Sequence, residues 1–253
     1  MKTLAVIPAR LGATRLPRKP LRLLAGKPLV LRVWEHVREV GVAEQCVIAT
    51  DSPEVAAVAV EHGAPVVMTR SDHPSGTDRV AEVASRPEYR AYECILNVQG
   101  DEPFVSPEAL TGATQFVVKG RYSLGTAAAP ASRQILGVPS VVKVVIADDG
   151  RALYFSRAPI PFLRDPDEDG LLANHVHQHI GVYAYHKDAL ARWVGLPQHP
   201  LEQIERLEQL RPLAAGIAMG VAIVNETPRG GIDTEDDLAR ANSDWTALTP
   251  EHT

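Results

Sequence analysis

The chain has 253 residues, 45% hydrophobic and 23% charged, the balance of an ordinary globular protein. Its net charge of -5 gives general nucleic-acid binding no electrostatic support. Two cysteines make no disulfide framework, no apolar stretch is long enough to span a membrane, and Met1-Lys2-Thr3-Leu4 runs straight into a core strand without room for a signal peptide. A soluble, cytoplasmic protein is expected.

In chain order, Thr3–Pro8 is nearly all apolar and reads as a parallel strand covered on both faces. Lys27–Val40 places Leu29, Val30, Val33, Trp34, Val37 and Val40 at helical spacing. Cys46–Thr50 is the second strand, Pro53–His62 a helix with Pro in its first turn, and Pro65–Met68 a third strand. Ser75-Gly76-Thr77-Asp78 can cap a helix carrying Val80, Ala81, Val83 and Ala84. Cys94–Val98 is a buried strand and Pro107–Val118 a helix. Both cysteines open apolar runs and read as buried thiols.

This alternation predicts a doubly wound, mostly parallel α/β sheet. The middle of the chain changes character. Val141–Ile146, Asp148-Asp149-Gly150 and Ala152–Phe155 read as a β-hairpin, and the Pro- and acid-rich Pro159–Leu172 as a long loop. His179–Tyr185 is a strand, Leu201–Leu213 a helix, Val221–Val224 a strand and Thr234–Ala241 a closing helix. The tail from Leu248 is expected to fray.

Four segments invite chemistry. Val98-Gln99-Gly100-Asp101-Glu102-Pro103 ends a buried strand with carboxylates, at the sheet edge where ligands bind in open parallel sheets. Such acids suit a hard cation like Mg2+. The loop from Pro8 to Pro20 holds Arg10, Arg15, Arg18 and Lys19. It is neither a Walker A loop nor a dinucleotide fingerprint. A solvated basic loop is the plain alternative, but its place directly after a strand favours phosphate binding by backbone and cationic side chains. Gly231-Ile232-Asp233-Thr234 precedes a helix, so Asp233 or Thr234 is a candidate N-cap, and Asp233 a candidate second carboxylate for Mg2+. In Asn174-His175-Val176-His177-Gln178-His179 the histidines alternate on one strand face. A polar strand face outweighs a zinc site there, since no cysteine lies nearby to complete one. Glu202, Glu205, Glu208 and Gln209 share a face of the helix expected at 201–213, as an exposed acidic face or as the wall of a polar pocket.

In this order the segments resemble the 3-deoxy-manno-octulosonate (Kdo) cytidylyltransferase family, the CMP-Kdo synthetases. The resemblance runs from about residue 4 to residue 243. It is carried by IPARLGATRLPRKPL at 7–21, ATD at 49–51, MTRSDHPSGTDRVAE at 68–82 and NVQGDEP at 97–103. VKVVIADDGRALYFSRAPIP at 142–161, HIGVYAY at 179–185, LEQLR at 207–211 and GIDTEDDL at 231–238 continue it. The Pro-Ala-Arg loop is shared with sialic-acid cytidylyltransferases; SGTDR, VQGDEP, ALYFSRAPIP and LEQLR together are specific. Two positions depart from the pattern. Thr14 stands where Ser is usual, and Arg18 where Gly precedes Lys-Pro.

The resemblance implies a Rossmann-like nucleotidyltransferase fold, one domain over 1–253, with a hairpin and loop insertion at roughly 141–185 serving the sugar pocket and a dimer contact. It implies that CTP and Kdo react with Mg2+ to give CMP-Kdo and diphosphate for lipopolysaccharide biosynthesis. Ala9, Arg10, Lys19, Arg70, Ser75 and Gln99 would bind CTP, with Arg15 and Lys19 on its phosphates. Asp101 and Asp233 would hold Mg2+, and Arg15, Lys19, Asp101 and Asp233 would be catalytic. Arg157, His179, Tyr183, Glu208 and Gln209 would form the sugar-acid pocket. Family members are homodimers, with Ala152–Arg164 near the contact. The alternatives are a related ulosonic acid as substrate, such as sialic acid or an amino analogue of Kdo, or a nucleotide-binding module without catalysis.

Overall fold

The computed structural model describes residues 1–12, 14–164, 170, 175–225 and 228–248. The chain forms two compact units, one of Lys2–Val105 with Arg229–Thr253, the other of Ser106–Pro228 with Met1.

The first unit alternates strand and helix. Its strands are β1 (Thr3–Ala9), β4 (Gln45–Thr50), β5 (Val66–Met68) and β6 (Cys94–Asn97), in the order β6-β1-β4-β5 and all parallel. Leu4 to Ile7 are wholly buried, as a strand covered on both faces requires. A small antiparallel pair, β2 (Leu23–Leu24) and β3 (Lys27–Pro28), precedes helix α1 (Leu29–Val40). The helix therefore starts two residues later than its periodicity suggests. Ala25 and Gly26, both at positive φ, make the two-residue hairpin turn that takes Lys27 and Pro28 into the ribbon. Ser52 caps α2 (Pro53–Glu61), Ser75 caps α3 (Gly76–Ser85), and α8 (Glu235–Leu248) closes the unit. Leu16, Leu24 and Leu29 pack with Ile232, Leu238 and Ala241 in a separate small core. That core fixes the basic loop against the segment carrying Asp233.

The second unit begins with α4 (Pro107–Val118), whose bounds match the sequence reading; Ser106 caps it and Pro107 takes its first position. Its mixed sheet contains β7 (Leu124–Pro130), β8 (Lys143–Ile146), β9 (Ala152–Ser156), β10 (His177–His186) and β11 (Met219–Ile223). β11 pairs parallel with β7; β10 runs antiparallel to β7 and β8; β8 and β9 form the expected hairpin. Strand β7 and helix α5 (Lys187–Gly195) were not apparent in the sequence. β7 is Leu-Gly-Thr-Ala-Ala-Ala-Pro, poor in β-branched residues, and burial from Leu124 to Ala129 makes it a strand. Gly125 is needed there, because a Cβ would sit 2.1 Å from the Ala113 carbonyl oxygen of α4.

The helix expected over 201–213 is two short helices, α6 (Pro200–Glu205) and α7 (Leu210–Ala214). Arg206 breaks it with a left-handed backbone, φ 55°. Glu202, Glu205, Glu208 and Gln209 therefore do not share a helix face. The two thiols are free and buried, and burial pushes Cys46 up to about 12 and Cys94 to about 11. No described helix is long and apolar enough to cross a membrane. Asn174, the far part of the 159–172 loop and the last residues of the tail lie outside the described residues.

Candidate active site

Two acidic loops meet one lysine in the first unit. β6 ends at Asn97, and the chain turns through Gly100, whose Cβ would meet the Pro8 carbonyl oxygen at 2.9 Å. Only glycine lets that turn lie so close to the end of β1. Asp101 follows, and its carbonyl accepts from the Ile232 amide at 2.9 Å, which joins the Asp101 loop to the Asp233 loop. Lys19 Nζ bonds Asp101 Oδ2 and, at 2.8 Å, Asp233 Oδ1. Arg15 Nη2 reaches Asp233 Oδ2 at 2.9 Å. Of the four residues read as catalytic, all are brought into one connected cluster by this arrangement.

The electrostatics follow from that crowding. Burial works against the Lys19 charge, but Asp101 and Asp233 outweigh it and hold its pKa above the ordinary value. Glu102 is pushed up to about 8 by burial first, then by Asp101 and Asp233, with Lys19 opposing. The Asp101 and Asp233 carboxylates thus add negative potential at Glu102, on top of its burial. Asp101 and Asp233 converge on one positive charge, and two carboxylates with further oxygens from phosphate or water suit Mg2+. Among the described residues no group of three or more His, Cys, Asp or Glu is arranged to hold a metal by itself.

Asp233 is not the helix cap. The Thr234 hydroxyl accepts from the Asp237 amide at 3.2 Å, and Asp237 Oδ2 accepts from the Thr234 amide at 2.9 Å. This reciprocal pair caps α8 and leaves the Asp233 carboxylate to face Lys19 and Arg15.

The other nucleotide candidates lie at the end of β1, at the start of α3 and in the loops of the same unit. Ala9 ends β1, buried, and Arg10 follows it, exposed. Gln99 is half-buried beside Gly76 at the start of α3. The Ser75 hydroxyl accepts from the Asp78 amide and donates to Asp78 Oδ2 at 2.8 Å. Arg70 is exposed, with Asp72 at 3.2 Å. At position 18, where the family resemblance leads one to expect glycine, the backbone is left-handed, φ 58°, a conformation glycine adopts without a Cβ penalty. The Arg18 guanidinium is held by Glu54 across the loop.

A residue the sequence reading passed over fastens the Arg70–Ser75 segment. Glu82 on α3 accepts from the Arg70 amide at 3.0 Å, His73 Nε2 at 2.5 Å and Arg86 Nη2 at 2.9 Å. Burial works against its charge, but these donors hold it down at about 2. Arg86, four residues on at the C-terminal cap of α3, was the local signal for this anchor. Because the folded pKa is depressed, the stabilisation is present above about pH 4.5 and disappears as pH falls toward 2. Glu82→Gln is therefore expected to cost about 1–3 kcal/mol at pH 7, after discounting for partial exposure, and less at pH 3. Denaturant unfolding of both proteins at the two pH values checks this; a difference independent of pH would count against it.

The sugar-acid candidates all lie in the second unit. His179 on β10 packs edge-on against Phe155 at 4.9 Å and against Tyr183 at 5.4 Å. Burial pushes His179 down to about 3, so it is neutral. Burial, then Tyr185 and Glu208, raise the Tyr183 hydroxyl well above its ordinary value. Glu208 and Gln209 lie in the turn between α6 and α7, Gln209 buried. Arg157 donates from Nε to the Glu205 carbonyl at 2.9 Å and from Nη1 to that of Pro139 at 3.0 Å. The Glu205 carboxylate accepts from Ser156 Oγ at 2.6 Å and the Arg157 amide at 2.9 Å. Glu205 thus anchors the β9 end instead of forming an acidic surface. No local pattern reveals this, since its partners are 48 and 49 residues away. His175 is exposed, whereas His177 is buried.

A family model described as cytidylyltransferase matches residues 4–221. A 3-deoxy-manno-octulosonate cytidylyltransferase of Gemmatimonas aurantiaca is 64% identical over 248 residues, 98% of this chain and 96% of that protein. The chain belongs to the 3-deoxy-manno-octulosonate cytidylyltransferase family. The protein of the same description from Polynucleobacter asymbioticus is 45% identical, over 94% of this chain and 93% of its own. A solved CMP:2-keto-3-deoxy-manno-octonic acid synthetase complexed with CTP superposes with a TM-score of 0.90 at 36% identity, covering 98% of this chain and 100% of that one. A 4-diphosphocytidyl-2C-methyl-D-erythritol synthase from Anaerococcus prevotii shares the fold at 15% identity and a TM-score of 0.62, over 97% and 98% of the two chains. The fold class, a mostly parallel mixed sheet flanked by helices, is the one expected for the cytidylyltransferase family.

Proposed function

We propose that this cytidylyltransferase activates Kdo, converting CTP and Kdo to CMP-Kdo and diphosphate for lipopolysaccharide biosynthesis. The observation that carries the reading is the convergence of Lys19, Asp101 and Asp233 in a chain 64% identical to a Kdo cytidylyltransferase. The anomeric hydroxyl of Kdo attacks the α-phosphorus of CTP in line. A new oxygen–phosphorus bond forms, the bond to the β-phosphate bridging oxygen breaks, diphosphate leaves, and the hydroxyl proton passes to solvent. Asp101 and Asp233 would hold Mg2+. When bound, the ion lowers the hydroxyl pKa and offsets repulsion between the sugar carboxylate and the phosphate. Arg15 and Lys19 stabilise charge on the phosphates, and Ala9, Arg10, Arg70, Ser75 and Gln99 hold the nucleotide. Arg157, His179, Tyr183, Glu208 and Gln209 hold the sugar acid, so much of the rate comes from positioning.

In this reading the chain works as one nucleotidyltransferase domain over 1–253, in the cytoplasm where CTP is available. The segment at roughly 141–185 serves the sugar pocket and a homodimer contact. Phe162, 81% exposed, and Leu153, 48% exposed, are apolar side chains that such a contact would cover. The test is diphosphate release from CTP against a panel of ulosonic acids. Release should need both CTP and Kdo and stop with a chelator. Equal activity with sialic acid, or none with Kdo, defeats the assignment.

A further inference from the structure

The β7–β10 pairing has an irregularity beside the His179 ring. Ile180 pairs with Ala127 and Tyr183 with Thr126, so Gly181 and Val182 have no counterpart on β7. Such a bulge takes backbone groups off the ladder, and buried carbonyls then need another donor. Thr126, fully buried on β7, supplies it. Its Oγ1 lies 2.7 Å from the Val182 carbonyl oxygen, 3.3 Å from that of Ile180 and 2.9 Å from His179 Nε2.

A threonine hydroxyl has one proton and two lone pairs, and a carbonyl oxygen only accepts. The 2.7 Å contact to Val182 therefore takes the Thr126 proton. At Nε2 the hydroxyl has only a lone pair to offer, so Nε2 must carry a hydrogen. A proton on Nδ1 alone would leave Nε2 and Oγ1 facing each other as two acceptors. His179 is neutral by burial, so its one ring proton sits on Nε2 and Nδ1 keeps its lone pair. None of the described residues hydrogen-bonds Nδ1, and the rings of Phe155 and Tyr183 limit rotation of the imidazole.

We propose that Thr126 is a positioning residue that locks His179 as the Nε2–H tautomer, presenting Nδ1 as an acceptor for a hydroxyl of the sugar acid. This rests on the sugar-pocket reading of His179 given above. Recognition at that point selects a donor on the substrate, so a sugar acid with the hydroxyl removed or methylated would be discriminated against.

The intact protein, labelled with 15N at histidine, tests the tautomer directly, with His179 signals assigned by their loss in His179→Gln. The wild type should show a protonated-type Nε2 and an unprotonated-type Nδ1. Thr126→Ser keeps the hydroxyl and should keep both this signature and the wild-type KM for Kdo. Thr126→Val should lose the single tautomer and raise KM for Kdo about tenfold, with CTP binding by calorimetry unchanged. A wild-type protein protonated on Nδ1 overturns the proposal, whether or not the valine variant folds. So does a folded Thr126→Val protein with wild-type Kdo kinetics when His179→Gln is impaired. If His179→Gln itself uses Kdo normally, it is the pocket reading that fails, and the recognition step falls with it.

Discussion

Asparagine at position 101 or 233 is expected to lower kcat by about two to three orders of magnitude, roughly 3–4 kcal/mol of transition-state stabilisation. Both carboxylates bond the Lys19 ammonium, so both face the position where a cation is favoured. Removing one charge weakens Mg2+ as well, and more Mg2+ should be needed for half-maximal rate. Lys19 keeps one anionic partner in either variant. Asp233 makes no cap contact that the amide would disturb, because Thr234 and Asp237 cap α8 between them. Thermal melts should therefore stay near the wild type while diphosphate release collapses. An Asp233→Asn protein with normal kcat and a lowered Tm would return that residue to a purely structural role.

Arg211→Met should be among the most destabilising single changes in the chain. Arg211 grips Glu202 with both Nε, at 2.8 Å, and Nη2, at 2.5 Å, and the two side chains are 11% and 6% exposed. Burial works against the Glu202 charge, but Arg211 holds its pKa below the ordinary value. Losing the cation leaves a carboxylate buried without its counter-charge, which typically costs about 3–5 kcal/mol. At roughly 2–4 °C per kcal/mol for a chain of this size, Tm should fall by about 10 °C. Glu202→Gln in the same protein removes the stranded charge and should recover much of the loss. If the double variant is no more stable than Arg211→Met alone, packing and not charge explains the effect. The pair spans the turn that carries Glu208 and Gln209, so Kdo use should suffer more than CTP binding at temperatures where the variant is folded.

That pair also marks where a linear reading stops. Periodicity over 201–213 implied one helix with four polar residues on one face, either an exposed acidic face or the wall of a polar pocket. In the structure the left-handed Arg206 ends the first helix, Glu202 turns inward to Arg211, and Glu205 turns to Ser156 and Arg157. Helical spacing reports which residues can share a face, but it cannot see the break at Arg206 or the Glu205 partners 48 and 49 residues away. The alanine-rich β7 was missed for the same reason: its strand conformation comes from the neighbours that bury it.

Sequence alone determined the strand–helix alternation of the first 118 residues apart from the β2–β3 ribbon, the α4 boundaries, the hairpin, the buried thiols and the family, because each is written in local spacing or contiguous motifs. It also singled out Lys19, Asp101 and Asp233 as separate candidates. Only the tertiary structure decided that they meet, for their contacts join residues 82 and 214 positions apart. The same holds for Thr126 and His179, 53 residues apart. A bond between such positions depends on how the strands are ordered and registered, and that is settled by burial of the whole chain at once, which no window along the sequence contains.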